Sequence, residues 1–192
     1  MTSSVVPSDF RCGYIAIVGR PNVGKSTLMN ALIGAKVSIT SRKAQTTRHR
    51  ITGIQTREYA QFVYVDTPGF QTRHANALNK TLNRTVTNTL TAADVILFIV
   101  EACTYGPADK QVLDLIPKNV PCILVFNKSD RIKDKATMFP FAQQIAAERD
   151  FAAVIPVSAK QCFQLNVLEG EIQKYLPVNP PIFDEDDITD PA

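Results

Sequence analysis

A chain of 192 residues is long enough for one ordinary domain with a single core, and a composition 45% hydrophobic and 20% charged excludes a disordered chain. The formal net charge of +3, from 21 basic and 18 acidic residues, is too small to mark a nucleic-acid-binding surface by itself. The longest apolar runs, Val95 to Val100 and Cys122 to Phe126, are too short to span a bilayer, and Met1 to Asp9 lack the basic start and apolar centre of a secretory signal.

In chain order, short apolar runs alternate with helical stretches. Gly13 to Val18 reads as a strand and Lys25 to Leu32 as a helix, closed by Gly34 in the way a glycine often ends a helix. Ala35 to Arg50, rich in Ser, Thr, Lys and Arg, reads as irregular. Ile51 to Thr56 and Gln61 to Asp66 read as strands separated only by Arg57 to Ala60. Such a gap fits an antiparallel hairpin, because a parallel crossover takes about a dozen residues or more. Gly69 to Asn76 is again irregular. There follow a helix over Leu78 to Thr91, a strand over Val95 to Val100, a helix over Ala108 to Ile116 and a strand over Cys122 to Asn127. The last elements are a helix over Thr137 to Asp150, a strand over Ala153 to Val157 and a helix over Val167 to Leu176. Prolines 177, 180 and 181 stop that helix, and the acidic Phe183 to Asp190 is expected to run on as an extended tail or linker. The pattern predicts an α/β fold: a six-stranded, mostly parallel sheet with one antiparallel edge strand and helices on both faces. Four scattered cysteines without a C-x-x-C pair, and only two histidines, argue against a metal-finger or disulfide framework and for a reducing cytosol.

The chemistry is carried by short segments at strand ends. Gly19, Arg20, Pro21, Asn22, Val23, Gly24, Lys25, Ser26 and Thr27 satisfy G-x-x-x-x-G-K-[ST] between an apolar strand and a helix. Backbone N–H groups of Asn22 to Ser26 can converge on phosphate oxygens, aided by the helix N-terminus. Lys25 brings a cation to the outer phosphates and the Ser26 hydroxyl can ligate Mg²⁺. Asp66-Thr-Pro-Gly69 ends a second apolar strand; alone it is a common turn composition. After a phosphate loop, however, Asp66 can hold Mg²⁺ and the Gly69 N–H can contact the terminal phosphate. Asn127-Lys-Ser-Asp130 ends the run from Cys122. The Asp130 carboxylate can accept from guanine N1–H and the 2-amino group, a donor pair adenine lacks, which argues against an ATP-dependent kinase or transporter subunit. Asn127 would tie this loop to the phosphate loop, and the Lys128 stem would cover one face of the base. Ser158, Ala159 and Lys160 follow the last strand, where the Ala159 N–H can reach guanine O6. A threonine of Gln45-Thr-Thr-Arg-His49, Thr46 or Thr47, can reach Mg²⁺ and the γ-phosphate, ordering its loop only with GTP bound.

These five elements in order resemble the TRAFAC class of P-loop GTPases. GRPNVGKSTLMNAL, KAQTTRHR and DTPGF are similar to the Era branch of its TrmE–Era–EngA group, over about Gly13 to Leu176. The resemblance implies a three-layer P-loop fold and makes Thr47, the threonine before Arg48, the Mg²⁺-contacting one beside Ser26 and Asp66. It implies catalysis by Lys25, Thr47 and Gly69, with Mg²⁺ as cofactor. In some relatives the asparagine at the position of Asn22 helps bind K⁺. The resemblance further implies a role in small (30S) ribosomal subunit maturation through 16S rRNA, and a cytoplasmic location with peripheral membrane association. It also implies a C-terminal KH-type RNA-binding module. Such modules carry a GXXG clamp, and no GXXG occurs in these residues, so the expected organisation is a tail (1–10), a GTPase domain (11–177) and an acidic linker (178–192) leading towards that module. The domain itself is expected to be monomeric.

Many GTPases place glutamine directly after the D-x-x-G glycine, whereas this chain has Phe70, which cannot orient water; Gln71 follows. Slow intrinsic turnover is therefore expected, with a binding module whose hydrolysis is incidental as the alternative. The cluster Arg42, Lys43, Arg48, His49 and Arg50 has no interleaved aromatics and reads as a solvated basic face.

Overall fold

The computed structural model describes residues 5–34, 38–39, 51–65, 67 and 77–189. The expected functional residues Thr47, Asp66, Gly69, Phe70 and Gln71, and the basic cluster at 42–50, lie outside them.

The strands are β1 (Arg11–Val18), β2 (Ser38–Ile39), β3 (Ile51–Thr56), β4 (Ala60–Val65), β5 (Val95–Glu101), β6 (Cys122–Asn127), β7 (Ala153–Pro156) and β8 (Ile188–Thr189). The helices are α1 (Lys25–Ile33), α2 (Ala77–Ala92), α3 (Pro107–Leu115), α4 (Met138–Ala146) and α5 (Leu165–Tyr175). Six strands form one sheet in the order β3-β4-β1-β5-β6-β7. Every pairing in it is parallel except β3 with β4, so β3 is the antiparallel edge strand that the short gap before β4 predicts.

Side chains alternate across a strand, and this alternation builds the layers. Ile15 and Ile17 of β1 pack with Leu28 and Leu32 of α1 and with Leu168 and Ile172 of α5 on one face. Ala16 and Val18 pack on the other with Val86 and Leu90 of α2, Val112 and Leu113 of α3, and Ile145 of α4. The central strands β5 and β6 are apolar on both faces and buried on both, as a parallel sheet between helical layers requires. α4 is shorter than its sequence suggests, ending at Ala146 rather than Asp150. A 3₁₀ turn over Lys135–Thr137 leads into it, where the Asp134 carboxylate accepts from the Ala136 N–H at 3.1 Å. Among the described residues, no helix is long and apolar enough to cross a membrane.

The segment expected to be an extended acidic tail folds back onto the sheet instead. Phe183 is buried beside Phe10, Cys12, Ile54 and Val63, in an apolar cluster of its own against β1, β3 and β4. Its anchor is Gln61 in β4, a fully buried polar side chain. Gln61 Oε1 accepts from the Ile182 and Phe183 N–H groups at 2.9 and 3.1 Å, and its Nε2 donates to the Phe183 carbonyl at 2.8 Å and to Thr56 Oγ1 at 3.1 Å. The chain then makes a 3₁₀ turn, Glu185–Asp187, and pairs antiparallel through β8 with β2. Phe10, expected in an N-terminal tail, is also buried, and its carbonyl accepts from the Asn179 N–H at 3.0 Å.

Replacing Gln61 by alanine removes the side-chain partner of three backbone groups, two of them buried, and should cost about 2–4 kcal/mol, read as a shift of the urea midpoint, with residues 178–189 becoming protease-sensitive. A loss below ~0.5 kcal/mol would show that the segment is not anchored there.

Candidate nucleotide-binding site

The site lies at the carboxyl ends of β1, β6 and β7, where a doubly wound sheet leaves a crevice between loops. The loop after β1 turns through Asn22 (φ 67°) and Gly24 (φ 94°), both left-handed, before α1 begins at Lys25. Position 24 tolerates only glycine: beyond the backbone conformation, a Cβ there would collide with the Asn127 side-chain nitrogen. The first N–H groups of α1 have no partners within the helix, so they and its positive end face the turn. Val23 is fully buried in the core, so its backbone alone is available to a ligand. Lys25 Nζ reaches back over the loop and donates to the carbonyls of Gly19 and Arg20, each at 2.8 Å. Burial, reinforced by the Arg20 charge, holds the Lys25 ammonium below the ordinary lysine pKa. A phosphate near it would act in the opposite sense.

Arg20 was expected among the nucleotide-binding residues, but its guanidinium is committed elsewhere. It bonds Asp109 Oδ1 at 3.1 Å and Glu101 Oε2 at 3.4 Å, so the backbone is what this residue can offer a ligand. Asp109 is buried, and its other oxygen accepts from the Gly106 N–H at 2.9 Å, capping α3.

Three loops meet at Asn127. Its Nδ2 donates to the Val23 carbonyl at 2.9 Å, and its Oδ1 accepts from the Ala159 N–H at 3.0 Å. That N–H was expected to contact guanine O6; here Asn127 takes it, so a base oxygen could only share the donor. Lys128 follows in a left-handed conformation (φ 61°) and donates to the Asn22 carbonyl at 2.8 Å. Asp130 is exposed, and Ser158, itself buried, donates its hydroxyl to Asp130 Oδ1 at 2.7 Å. This hydrogen bond is the main reason the Asp130 carboxyl lies below the usual carboxylate range, with Arg131 and Lys160 adding to it. Around these groups is a cavity of about 190 Å³, walled by Gly24 and Thr27 on one side and by Asn127, Lys128, Asp130 and Lys160 on the other.

Ser26 is the second residue of α1, directly after Lys25. Thr67, next to Asp66 in the chain, donates its hydroxyl to the Ile17 carbonyl at 2.7 Å and thereby ties the end of β4 to the strand that carries the phosphate loop. Sequence reasoning did not find the Ser158 hydroxyl as the group that orients Asp130, nor Glu101 and Asp109 as the partners of Arg20. The only local signal for any of them is the G-x-x-D spacing of Gly106 and Asp109. A larger groove of about 510 Å³ beside α3 is walled by Lys110, Asp114 and Glu148, the lysine pairing with both carboxylates.

The family model for 50S ribosome-binding GTPases matches residues 14–128. The chain is 57% identical over 183 residues to GTPase Era of Nitrosomonas eutropha, covering 95% of this chain and 62% of that protein. It is 55% identical to GTPase Era of Chromobacterium violaceum with the same coverage. The chain thus spans about three fifths of the length of these relatives. Among solved structures it is similar to an Era variant from Aquifex aeolicus bound to GDP·AlF4⁻, with TM-score 0.78, 39% identity, and coverage of 95% of this chain and 63% of that one. An Era complex with MgGDPNP and nucleotides 1506–1542 of 16S ribosomal RNA matches equally, with TM-score 0.78 and 39% identity. The G domain of the Thermotoga maritima FeoB iron transporter, at 21% identity and TM-score 0.60, shares the fold. With the family model matching more than half of the chain and an α/β fold shared with solved Era structures, the chain belongs to the 50S ribosome-binding GTPase family.

Proposed function

We propose that this chain is the nucleotide-binding part of an Era-like GTPase: it binds GTP with Mg²⁺, hydrolyses it slowly to GDP and phosphate, and switches the state of a longer protein acting in 30S subunit assembly. The observation that carries the reading is the Asp130 carboxylate, held by Ser158 at a cavity that Asn127 joins to the phosphate loop. Adenine has no donor pair for that carboxylate, so the geometry favours guanine.

The hydroxyls of Ser26 and Thr47 and the carboxylate of Asp66 are hard oxygen donors, the class that Mg²⁺ selects. Bound there, the ion would neutralise charge on the β- and γ-phosphates. Lys25 would exchange its loop carbonyls for phosphate oxygens, Gly19 to Thr27 would enclose the phosphates with backbone N–H groups, and the Gly69 N–H would meet the γ-phosphate. Lys128 and Lys160 would flank the base, and Ala159 would share its N–H with O6. Asn22, exposed at the turn, would add an amide oxygen to a K⁺ site beside the phosphates, supplying charge in place of an arginine. With Phe70 after the D-x-x-G glycine, no side chain at that position aligns the water, which accounts for slow turnover.

The domain is assigned to residues 11–177, preceded by 1–10, with 178–192 leading towards a KH-type module in the longer protein. By similarity to the complex with 16S rRNA nucleotides, the RNA partner of that longer protein is the 3′ region of 16S rRNA. A cytoplasmic setting follows from the same similarity, and peripheral membrane association belongs to the same proposal.

Asp130→Asn should lower GTP affinity roughly a hundredfold or more and create binding of xanthosine triphosphate, measured by nucleotide competition; unchanged GTP preference would refute the base assignment. Because the Asp130 pKa is lowered, its contribution to GDP binding should persist as the pH falls through the ordinary carboxylate range and vanish only below it. Ser158→Ala removes the main cause, so the acid limb of GDP affinity should move to higher pH; a limb that stays in place would remove Ser158 from that role. Finally, GTP hydrolysis should run roughly tenfold or more faster in KCl than in NaCl at equal ionic strength, and equal rates would sink the role of Asn22.

A further inference from the structure

One carboxylate in this region is not explained by nucleotide chemistry. Glu101 is the last residue of β5, directly across from Asn127 in the β5–β6 register, and its side chain emerges between the phosphate loop and the base loop. Its Oε2 takes Arg20 Nη2 at 3.4 Å and Lys128 Nζ at 3.3 Å, while its Oε1 lies 3.5 Å from Arg131 Nη1. Arg20 belongs to the phosphate loop; Lys128 and Arg131 belong to the base loop. The Lys128 ammonium is shared between Glu101 and the Asn22 carbonyl, so the carboxylate and the phosphate loop hold the same cation from two sides.

Without that charge, three cations would crowd one corner with only Asp109 to offset Arg20. Lys128 also holds a left-handed backbone, which a residue with a Cβ adopts only when its surroundings enforce it. Anchoring its ammonium is one such enforcement, and it fixes the wall that Lys128 contributes to the base cavity.

We propose that Glu101 is a positioning residue for guanine-nucleotide affinity, acting through Lys128 by pinning its ammonium against the Asn22 carbonyl of the phosphate loop. The inference rests on the guanine-binding reading above. It assigns Glu101 no contact with the nucleotide; its effect is to present a pre-formed base wall, so that less ordering is required on binding.

The test is a double-mutant cycle on GDP affinity with Glu101→Ala, Lys128→Ala and the pair, using Glu101→Gln as the variant that keeps shape and removes charge. Glu101→Ala and Glu101→Gln should each weaken GDP binding about tenfold, chiefly through faster release. The loss should fall on affinity rather than on the single-turnover rate at saturating GTP. In the Lys128→Ala background, Glu101→Ala should change GDP affinity less than about twofold, since the group it acts through is gone. Additive losses, or a Glu101→Gln protein that binds GDP like the wild type, would overturn the inference. If Glu101→Ala fails to fold, the Glu101→Gln arm of the cycle decides in the same way. A wild-type chain with no preference for GDP over ADP would instead overturn the guanine-binding reading itself.

Discussion

The side-chain amide of Asn127 bonds the phosphate loop through the Val23 carbonyl, 104 residues earlier, and the loop after β7 through the Ala159 N–H, 32 residues later. It is buried, and both ends of the amide are satisfied, so rotating or losing it would strand polar groups away from water. The other features of the site depend on this junction. It sets the distance between the loop after β1 and the loop after β6, and it is why position 24 has no room for a side chain. A nucleotide spanning the two loops would meet a spacing fixed before it arrives.

Charge is organised around the same junction. Lys25 lies on the carbonyls of its own loop, where burial holds its pKa below the ordinary lysine value. Arg20 is turned to Asp109 and Glu101, so of the two cations in the phosphate loop only the lysine is held by carbonyls it can exchange for phosphate oxygens. Lys128 is drawn to the loop from the opposite side. These pairs are partly exposed and individually modest, but they share partners, and a shared network resists rearrangement more than its separate pairs do.

On the other side of β1, in β4, Gln61 plays the equivalent part for the end of the chain. Its amide matches the backbone groups of Ile182 and Phe183 as a neighbouring strand would, and Phe183 fills the apolar surface beside it. The continuation pairs through Ile188 and Thr189 with Ser38 and Ile39, in the stretch between α1 and β3. The described C-terminal residues are therefore in direct contact with the part of the chain that leads towards Thr47.

The sequence alone determined the layers, the single antiparallel edge and the family, through short segments placed at strand ends. In each case the cause is local: alternation along a strand, a gap too short for a crossover, or a few adjacent residues whose backbone and side chains serve one turn. The tertiary structure alone decided which carboxylates restrain Arg20 and Lys128, that Ser158 orients Asp130, that Asn127 takes the Ala159 N–H, and that the acidic segment folds back onto Gln61. The partners in these interactions stand between 27 and 122 residues apart. A glutamate after an apolar run or a glutamine within one has no local periodicity to announce its partner, so its role appears only when the sheet order brings the strand ends together.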